Sequence, residues 1–250
     1  MTPRTSAQGR STRTASATTS VEDYAKTIYG LAEWDDAAVT ASALARTLGV
    51  SNPSVTLMVR KMADLGLVDH QPYAPIRLTE QGRQLALAMV RRHRLIETWL
   101  VRELGYGWDE VHEEAERLEH AVSENFVDRL DSRLGHPRVD PHGDPIPGPD
   151  LSMDYPDTEL LCRVPAASAV RLEQVDDGVP DALRILAEQD MEIGAQVQVT
   201  ASDSGDVVVA RTGAGEGIRL AHELAHAMRV SVVTTSRPSS STPLSEDATG

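Results

Sequence analysis

The fold is decided by residues 40–71, TASALARTLGVSNPSVTLMVRKMADLGLVDHQ. The pattern predicts a short helix over Ala41–Leu48, followed by Gly49, which permits a tight turn. Ser51 can cap a second helix, and Pro53 lies in its first turn, where a missing backbone N–H costs nothing. Helix, glycine turn and proline-started helix in this order indicate a helix-turn-helix motif.

The second helix of this motif is predicted to present polar side chains outward. Val55, Val59 and Met62 form its inner apolar stripe. Small polar groups at the front of such a helix suit base edges in a DNA major groove, and basic groups behind them can reach phosphates. The predicted DNA-contacting residues are Ser51, Asn52, Pro53, Ser54, Thr56, Arg60 and Lys61. A module of the same shape that contacts only proteins is the alternative.

The elements around the motif extend it to a winged helix. After Gly66, two short β-prone stretches flank a Pro-Tyr-Ala-Pro tip and predict a β-hairpin. Upstream, a capping box at Ser20 starts a predicted helix with apolar residues at helical spacing. We therefore predict a winged-helix domain over residues 20–82. The Ser- and Thr-rich residues 1–19 are predicted to be a disordered arm.

Two predicted helices farther along carry many histidines and carboxylates. His93 and Glu97 are four residues apart and therefore share one face of the first of these helices. The second helix repeats such residues at i, i+4, i+7 and i+8: His112, Glu116, Glu119 and His120. Nitrogen and oxygen ligands in such stripes indicate a metal site. The alternative is an acidic, solvated face that happens to contain histidines.

The remaining chain predicts a mainly α protein with a C-terminal β-domain. A third helix is expected over Ser123–Leu134, and β-rich segments follow, with one helical piece between the first two. The predicted divisions are a helical metal-binding and dimerisation domain over 83–139, a linker over 140–163, a β-domain over 164–234 and a disordered tail over 235–250.

Charge and cysteine usage narrow the possible functions. The net charge of −14 argues against a protein that coats nucleic acid or membrane by bulk electrostatics. No acid precedes Glu22, however, so the N-terminal part is the least acidic, and the net charge does not exclude a local DNA-binding face there. A single cysteine, Cys162, excludes an internal disulfide and fits a reducing cytosol. Without a signal peptide or an apolar run of about 18 residues, we expect a cytoplasmic protein with no membrane association.

Five motifs resemble the diphtheria-toxin-repressor family of metal-dependent transcriptional regulators, and most closely its actinobacterial manganese-responsive branch. They are VEDY (21–24), GLVDH (66–70), VRRHRLIETWL (90–100), WDEVHEEAERLEH (108–120) and DPHGDPIPG (140–148). The resemblance implies a winged helix-turn-helix, a helical dimerisation domain and an SH3-like β-barrel. It further implies a homodimer without enzymatic activity, which binds palindromic operator DNA and represses genes of metal-ion homeostasis.

The resemblance also implies two sets of metal ligands. The primary metal is expected at Asp23, Glu116, Glu119 and His120, and the ancillary metal at His93, Glu97 and His112. Iron-responsive members have sulfur ligands at the positions of Asp23 and Glu116. Two hard carboxylates there favour Mn²⁺ over Fe²⁺, while an iron- or zinc-responsive repressor of the same fold is the alternative. Bacillus-type manganese regulators use a Glu where this chain has Lys26, so we prefer the His93/Glu97/His112 version of the second site.

A second motif suggests a different chemistry. HELAH at residues 222–226 matches the H-E-x-x-H signature, in which two histidines bind Zn²⁺ and the Glu is a general base. A zinc peptidase needs a third ligand, and after His226 the only acids are Glu246 and Asp247 in the predicted tail. A metallopeptidase is therefore the less favoured interpretation.

Overall fold

The structure is a computed structural model that describes residues 8–35, 38–69, 71, 74–203, 206–211 and 217–233. It divides into two compact units, residues 1–156 and 157–250. None of the helices in the described part of the chain combines the length and apolarity that a bilayer crossing requires.

The first unit begins with a winged helix-turn-helix. Its elements are α1 (Gln8–Asp35), α2 (Ala41–Thr47), α3 (Asn52–Asp64), β1 (Val68–Asp69) and β2 (Arg77–Leu78). The hydroxyl of Thr40 caps α2 and that of Ser51 caps α3, each accepting from a backbone N–H three residues later. The two strands pair antiparallel with Val68 opposite Leu78. The fold predicted for this part of the chain is confirmed.

The helix-turn-helix is held by the inner stripe that the sequence predicts. Val55, Val59 and Met62 of α3 are at most 1 % exposed and pack in one cluster with Leu44 of α2 and Ile28 of α1. Fully burying one such side chain contributes about 1.5–3 kcal/mol. This cluster fixes α3 so that its opposite face lies at the surface.

The start of α1 differs from the sequence-based expectation. The helix begins at Gln8, well before Ser20, so residues 8–19 are helical where a disordered arm is predicted. Residues 1–7 lie outside the described part of the chain. Apart from Gly9, residues 8–19 contain neither glycine nor proline. Once the packed part of α1 has nucleated the helix, it can extend through such a stretch, because each added residue forms one more backbone hydrogen bond.

Three helices complete the first unit: α4 (Glu80–Leu104), α5 (Val111–Glu119) and α6 (Glu124–Leu134). Thr79 caps α4 by accepting from the N–H of Gly82 at 3.1 Å. The N-terminal half of α4 contributes Leu87 and Val90 to the winged-helix cluster, whereas Leu95 and later residues pack in a separate cluster with α5 and α6. One helix thus joins two cores, and His93 lies on it between them.

A buried ion pair ties α6 and the following loop to α4. The Arg91 guanidinium donates to Asp131 Oδ2 at 2.9 Å and to the carbonyl of Pro147 at 2.7 Å. Both charged side chains are less than 10 % exposed. The pair therefore holds the loop that contains the DPHGDPIPG motif against α4, because breaking a buried pair leaves an uncompensated charge.

The second unit is built on a six-stranded antiparallel sheet in the order β3-β8-β4-β5-β6-β7. Its elements are β3 (Glu159–Leu160), β4 (Ala169–Val175), α7 (Pro180–Glu188), β5 (Gln196–Asp203), β6 (Asp206–Arg211), β7 (Ile218–Leu220), α8 (His222–His226) and β8 (Met228–Val232). The predicted β-domain with one helix between its first two main strands is confirmed. The predicted disordered tail lies outside the described residues, and the predicted domain boundaries stay predictions.

The close approach of α4 to the wing yields a stability prediction. A Cβ added to Gly82 would lie 2.0 Å from the carbonyl oxygen of Leu67, so Gly82→Ala must displace backbone. We expect it to lower the free energy of unfolding by at least about 2 kcal/mol in chemical denaturation. Gly30→Ala is the matched control: nothing lies within 4 Å of its Cβ position on α1, so a gain of about 0.5–1 kcal/mol is expected. Equal midpoints for Gly82→Ala and the wild type would contradict this packing.

Candidate metal centre

Side chains of α1, α4 and α5 converge in the first unit. Asp23 comes from α1, His93 and Glu97 from α4, and Glu119 from α5, with His120 immediately after the end of α5. Because α4 packs against both α1 and α5, ligands that are far apart in sequence meet along it.

The first group of possible ligands joins α1 to the end of α5. Asp23, Glu119 and His120 each offer one ligand atom, and these atoms lie within 4.8 Å of one another. His120 Nε2 lies 2.7 Å from Asp23 Oδ1 and 3.4 Å from Glu119 Oε1. The other ring nitrogen, Nδ1, lies 3.1 Å from Glu22 Oε2. Three of the four residues predicted for the primary metal are thus brought together.

Glu116, the fourth predicted primary residue, falls in a different group. Its ligand atom lies near those of His93 and Glu119. Lys26 of α1 contacts this group: its ammonium donates to Glu116 Oε1 at 2.5 Å and to Glu119 Oε1 at 2.7 Å. In the sequence, Lys26 is notable only because Bacillus-type manganese regulators have Glu at this position. In the structure, its ammonium contacts two carboxylates of α5.

The predicted ancillary ligands also meet. Glu97 Oε1 lies 2.9 Å from His93 Nε2 and 3.4 Å from His112 Nδ1, and the two nitrogens are 3.3 Å apart. On the other side of its ring, His93 Nδ1 contacts Glu119 Oε2 at 2.6 Å. His93 and Glu119 therefore connect the two predicted ligand sets.

Sequence reasoning did not assign a role to the residues of the DPHGDPIPG loop that face Glu97. Glu97, Asp140 and His142 form a further buried group. His142 Nε2 donates to the carbonyl of Trp108 at 2.6 Å, which turns Nδ1 toward Glu97 Oε2 at 3.7 Å. Asp140 Oδ1 accepts from the N–H of His142, which fixes the turn. The residues Asp-Pro-His at 140–142 could have been recognised in the sequence as possible metal ligands, but their position facing α4 becomes evident only from the fold.

The charges of the cluster compensate one another at His93 and Glu119 but not at Asp140. Burial alone would lower the pKa of His93, but the carboxylates of Glu97 and Glu119 raise it to about 9. Burial would raise the pKa of Glu119, but His93 and Lys26 outweigh it and lower that pKa. For Asp140, burial and repulsion from Asp144 and Glu97 raise the pKa well above its ordinary value.

The donor set fits a divalent cation. Asp23 Oδ1 and both carboxylate oxygens of Glu97 are buried and accept no well-formed hydrogen bond from the described part of the chain, although histidine nitrogens lie near them. Buried carboxylate oxygens need a compensating partner. Carboxylate oxygens beside imidazole nitrogens are the ligands that Mn²⁺, Fe²⁺ and Zn²⁺ use in proteins.

The HELAH segment forms the short helix α8 in the second unit. The rings of His222 and His226 are 6.0 Å apart, and the N–H of His222 donates to Asp206 Oδ1. Within the described residues, neither histidine belongs to a group of three possible metal ligands. In that part of the chain, the two histidines are therefore without the third ligand that a zinc peptidase requires.

The outer face of α3 lies at the surface. Six of the residues predicted to contact DNA are exposed: Ser51, Asn52, Pro53, Ser54, Thr56 and Arg60. The seventh, Lys61, is half-buried. The winged helix thus presents this face away from its core, as a DNA-reading helix requires.

Comparisons with known proteins agree with this combination of fold and cluster. Residues 16–75 match the family model of the iron dependent repressor, N-terminal DNA binding domain, and residues 79–148 match that of the iron dependent repressor, metal binding and dimerisation domain. The iron-dependent repressor IdeR of Mycobacterium leprae is 35% identical over 225 residues, which cover 85% of this chain and 96% of that protein. The diphtheria toxin repressor of Corynebacterium glutamicum is 34% identical, with 85% and 96% covered.

The chain is also similar to solved structures of metal-dependent repressors. A manganese-dependent transcriptional repressor in complex with manganese is 41% identical, with a TM-score of 0.80 and coverage of 85% of this chain and 100% of that one. The manganese regulator SloR is 33% identical, with a TM-score of 0.74 and coverage of 85% and 98%.

A winged helix on a helical unit rich in metal ligands defines the class of metal-dependent DNA-binding regulators. This chain belongs to the iron-dependent repressor family, which includes the diphtheria toxin repressor. It is a metal-dependent transcriptional repressor with a DNA-binding domain and a dimerisation domain.

The charge balance at His93 predicts the pH dependence of the metal-free protein. A pKa raised from 6.5 to about 9 stabilises the fold fully below pH 6.5, and this stability is lost as the pH rises through about 9. In EDTA, we expect the free energy of unfolding to fall over this interval by on the order of 3 kcal/mol. His93→Gln should flatten the slope.

The control for this measurement is His222→Gln, because His222 is exposed and lies in the second unit, on α8. This variant should keep the slope of the wild type. Identical slopes for His93→Gln and the wild type would show that His93 is not the titrating group.

Proposed function

We propose that this protein is a manganese-dependent repressor that binds a palindromic operator as a homodimer and controls genes of metal-ion homeostasis. The observation that carries the proposal is the donor set, in which carboxylates of Asp23, Glu116 and Glu119 surround imidazoles. No cysteine takes part in a metal-capable group among the described residues. Mn²⁺ competes poorly for sulfur and well for oxygen-rich sites.

Relatives support manganese without excluding other metals. The manganese-dependent repressor in complex with manganese shares 41% identity with this chain, and the mycobacterial IdeR proteins share 35–36%. The identity is thus higher to a manganese regulator, while iron-dependent relatives remain near. An iron- or zinc-responsive repressor is the second candidate, favoured by the imidazoles of His93 and His112, which also suit later transition metals.

The ligand assignment follows the observed groups. We assign Asp23, Glu119 and His120, with Glu116 beside them, to the primary metal. We assign His93, Glu97 and His112 to the ancillary metal. When bound, a divalent ion would supply two positive charges that neutralise the carboxylates of both groups.

The mechanism depends on which elements carry the primary ligands. Asp23 lies on α1, which packs on the DNA-reading helices, whereas Glu119 and His120 lie at the end of α5. These residues form one complete ligand set only when α1 and α5 keep a single relative orientation. That orientation favours a dimer whose two copies of α3 are spaced for successive major grooves, about 34 Å apart. Without a bound ion, the ammonium of Lys26 and the imidazole of His93 offset only part of the negative charge of these carboxylates, which weakens this preference.

The ligand assignment is tested by operator binding. DNA binding is measured by fluorescence anisotropy with a duplex selected by the wild type. Asp23→Ala should need at least roughly tenfold more Mn²⁺ to bind DNA, because replacing even a residue that only orients a metal ligand lowers metal affinity by about that factor. Glu113→Ala is the control, because Glu113 lies on α5 with its side chain 81% exposed. If Asp23→Ala and Glu113→Ala responded alike to Mn²⁺, the assignment of Asp23 to the primary metal and the coupling of α1 to α5 through that metal would be wrong.

The metal assignment is tested by activation with different ions. Metal-stripped protein is titrated separately with Mn²⁺, anaerobic Fe²⁺ and Zn²⁺ at one salt concentration, because phosphate contacts make the affinity steeply salt-dependent. We expect Mn²⁺ to switch on tight operator binding more effectively than the other two ions. If Fe²⁺ or Zn²⁺ activated the protein equally well, it would still be a metal-dependent regulator, but the assignment of manganese would be wrong. If none of the three ions changed operator binding, both the metal assignment and the metal-dependent mechanism would be wrong.

A further inference from the structure

One large apolar side chain stands out on the outer face of α3. Leu57 is 72% exposed, the highest value among the exposed large hydrophobic residues that the structure describes. The winged-helix core is completed by Val55, Val59 and other buried residues, so the fold gains little from Leu57. An exposed leucine forgoes about 1.5–3 kcal/mol of burial, which a bound partner can recover.

The position of Leu57 on α3 indicates which partner this is. Side chains three and four residues apart are neighbours on a helix, so Leu57 is surrounded by Pro53, Ser54, Arg60 and Lys61. All four belong to the predicted DNA-contacting set. Leu57 thus lies at the centre of that face, with two basic residues on its C-terminal side to hold phosphates.

The hydroxyl groups near Leu57 are already engaged within the helix. Thr56 Oγ1 donates to the carbonyl of Asn52 at 3.0 Å, and the hydroxyls of Ser51 and Ser54 are 2.8 Å apart. These contacts reduce the capacity of the face to read base edges by hydrogen bonds. The centre of the face is the exposed side chain of Leu57, so a selective contact there should be apolar.

The major groove offers one apolar group, the C5 methyl of thymine. The other base edges carry donors and acceptors, which lose water without compensation when a leucine covers them. We propose that Leu57 packs against a thymine methyl in each half-site of the operator and thereby selects T·A pairs at that position. This inference rests on the proposed function, because it requires α3 to enter the major groove.

The test removes the methyl group alone. Full-length protein in saturating Mn²⁺ is titrated onto its selected duplex, and symmetric thymine pairs are replaced by deoxyuridine one position at a time. At the contacted position, we expect the wild type to lose roughly fourfold in affinity per half-site, the value of one buried methyl group. Leu57→Ala should bind more weakly than the wild type and lose nothing further at that position, so the two changes are coupled.

A second substitution tests the same contact in the opposite direction. Replacing the contacted T·A pair by C·G should weaken binding, and 5-methylcytosine at that position should restore affinity for the wild type but not for Leu57→Ala. Leu65→Ala is the matched control, because Leu65 is also exposed, at 52%, and caps the C-terminus of the same helix. It should respond to every duplex as the wild type does.

The outcomes separate this inference from the proposed function. Metal-dependent binding with no position sensitive to deoxyuridine, or with equal sensitivity in Leu57→Ala, overturns the methyl contact and leaves the repressor intact. If no metal ion enables the wild type to bind any selected duplex, the proposed function is wrong, and so is the Leu57 contact that rests on it.

Discussion

The imidazole of His93, held between two carboxylates, is the contact on which the first unit depends. Glu97 and Glu119 are completely buried, and neither could remain charged there without a cationic partner. His93 faces Glu97 with one nitrogen and Glu119 with the other. Because it lies where α4 passes from one hydrophobic core to the next, the same ring joins α5 to α4 and balances the charge at the junction.

This junction explains how a cluster of ligands can be buried in a small unit. Lys26 brings a permanent positive charge from α1, and the DPHGDPIPG loop closes the far side of Glu97 through His142. The loop is itself held by Arg91, whose guanidinium reaches the carbonyl of Pro147. Glu97 and Glu119 thus each lie beside a positively charged side chain, so the positions of these two ligands are largely formed by the fold.

The sequence predicts the parts of this architecture that depend on local chemistry. The capping residue Ser51 marks the start of α3, and the spacing of apolar residues identifies the face of α3 that is buried. Spacing likewise places His93 beside Glu97. It cannot show that Lys26 of α1 reaches Glu116 of α5, because that contact depends on how three helices pack. The early start of α1 is missed for a related reason, since it depends on cooperative extension from a packed helix.

The position of Glu119 has a consequence for how the two ligand sets are studied. One of its oxygens faces His120 and the other faces His93, so a substitution there disturbs both sets at once. Asp23 contacts the primary set only, and His112 lies closest to the ancillary set, with Glu116 of the primary set farther away at 3.7 Å from its Nε2. A genetic dissection of the two metal functions therefore has to be made at these outer residues, because the shared carboxylate yields a single, mixed phenotype.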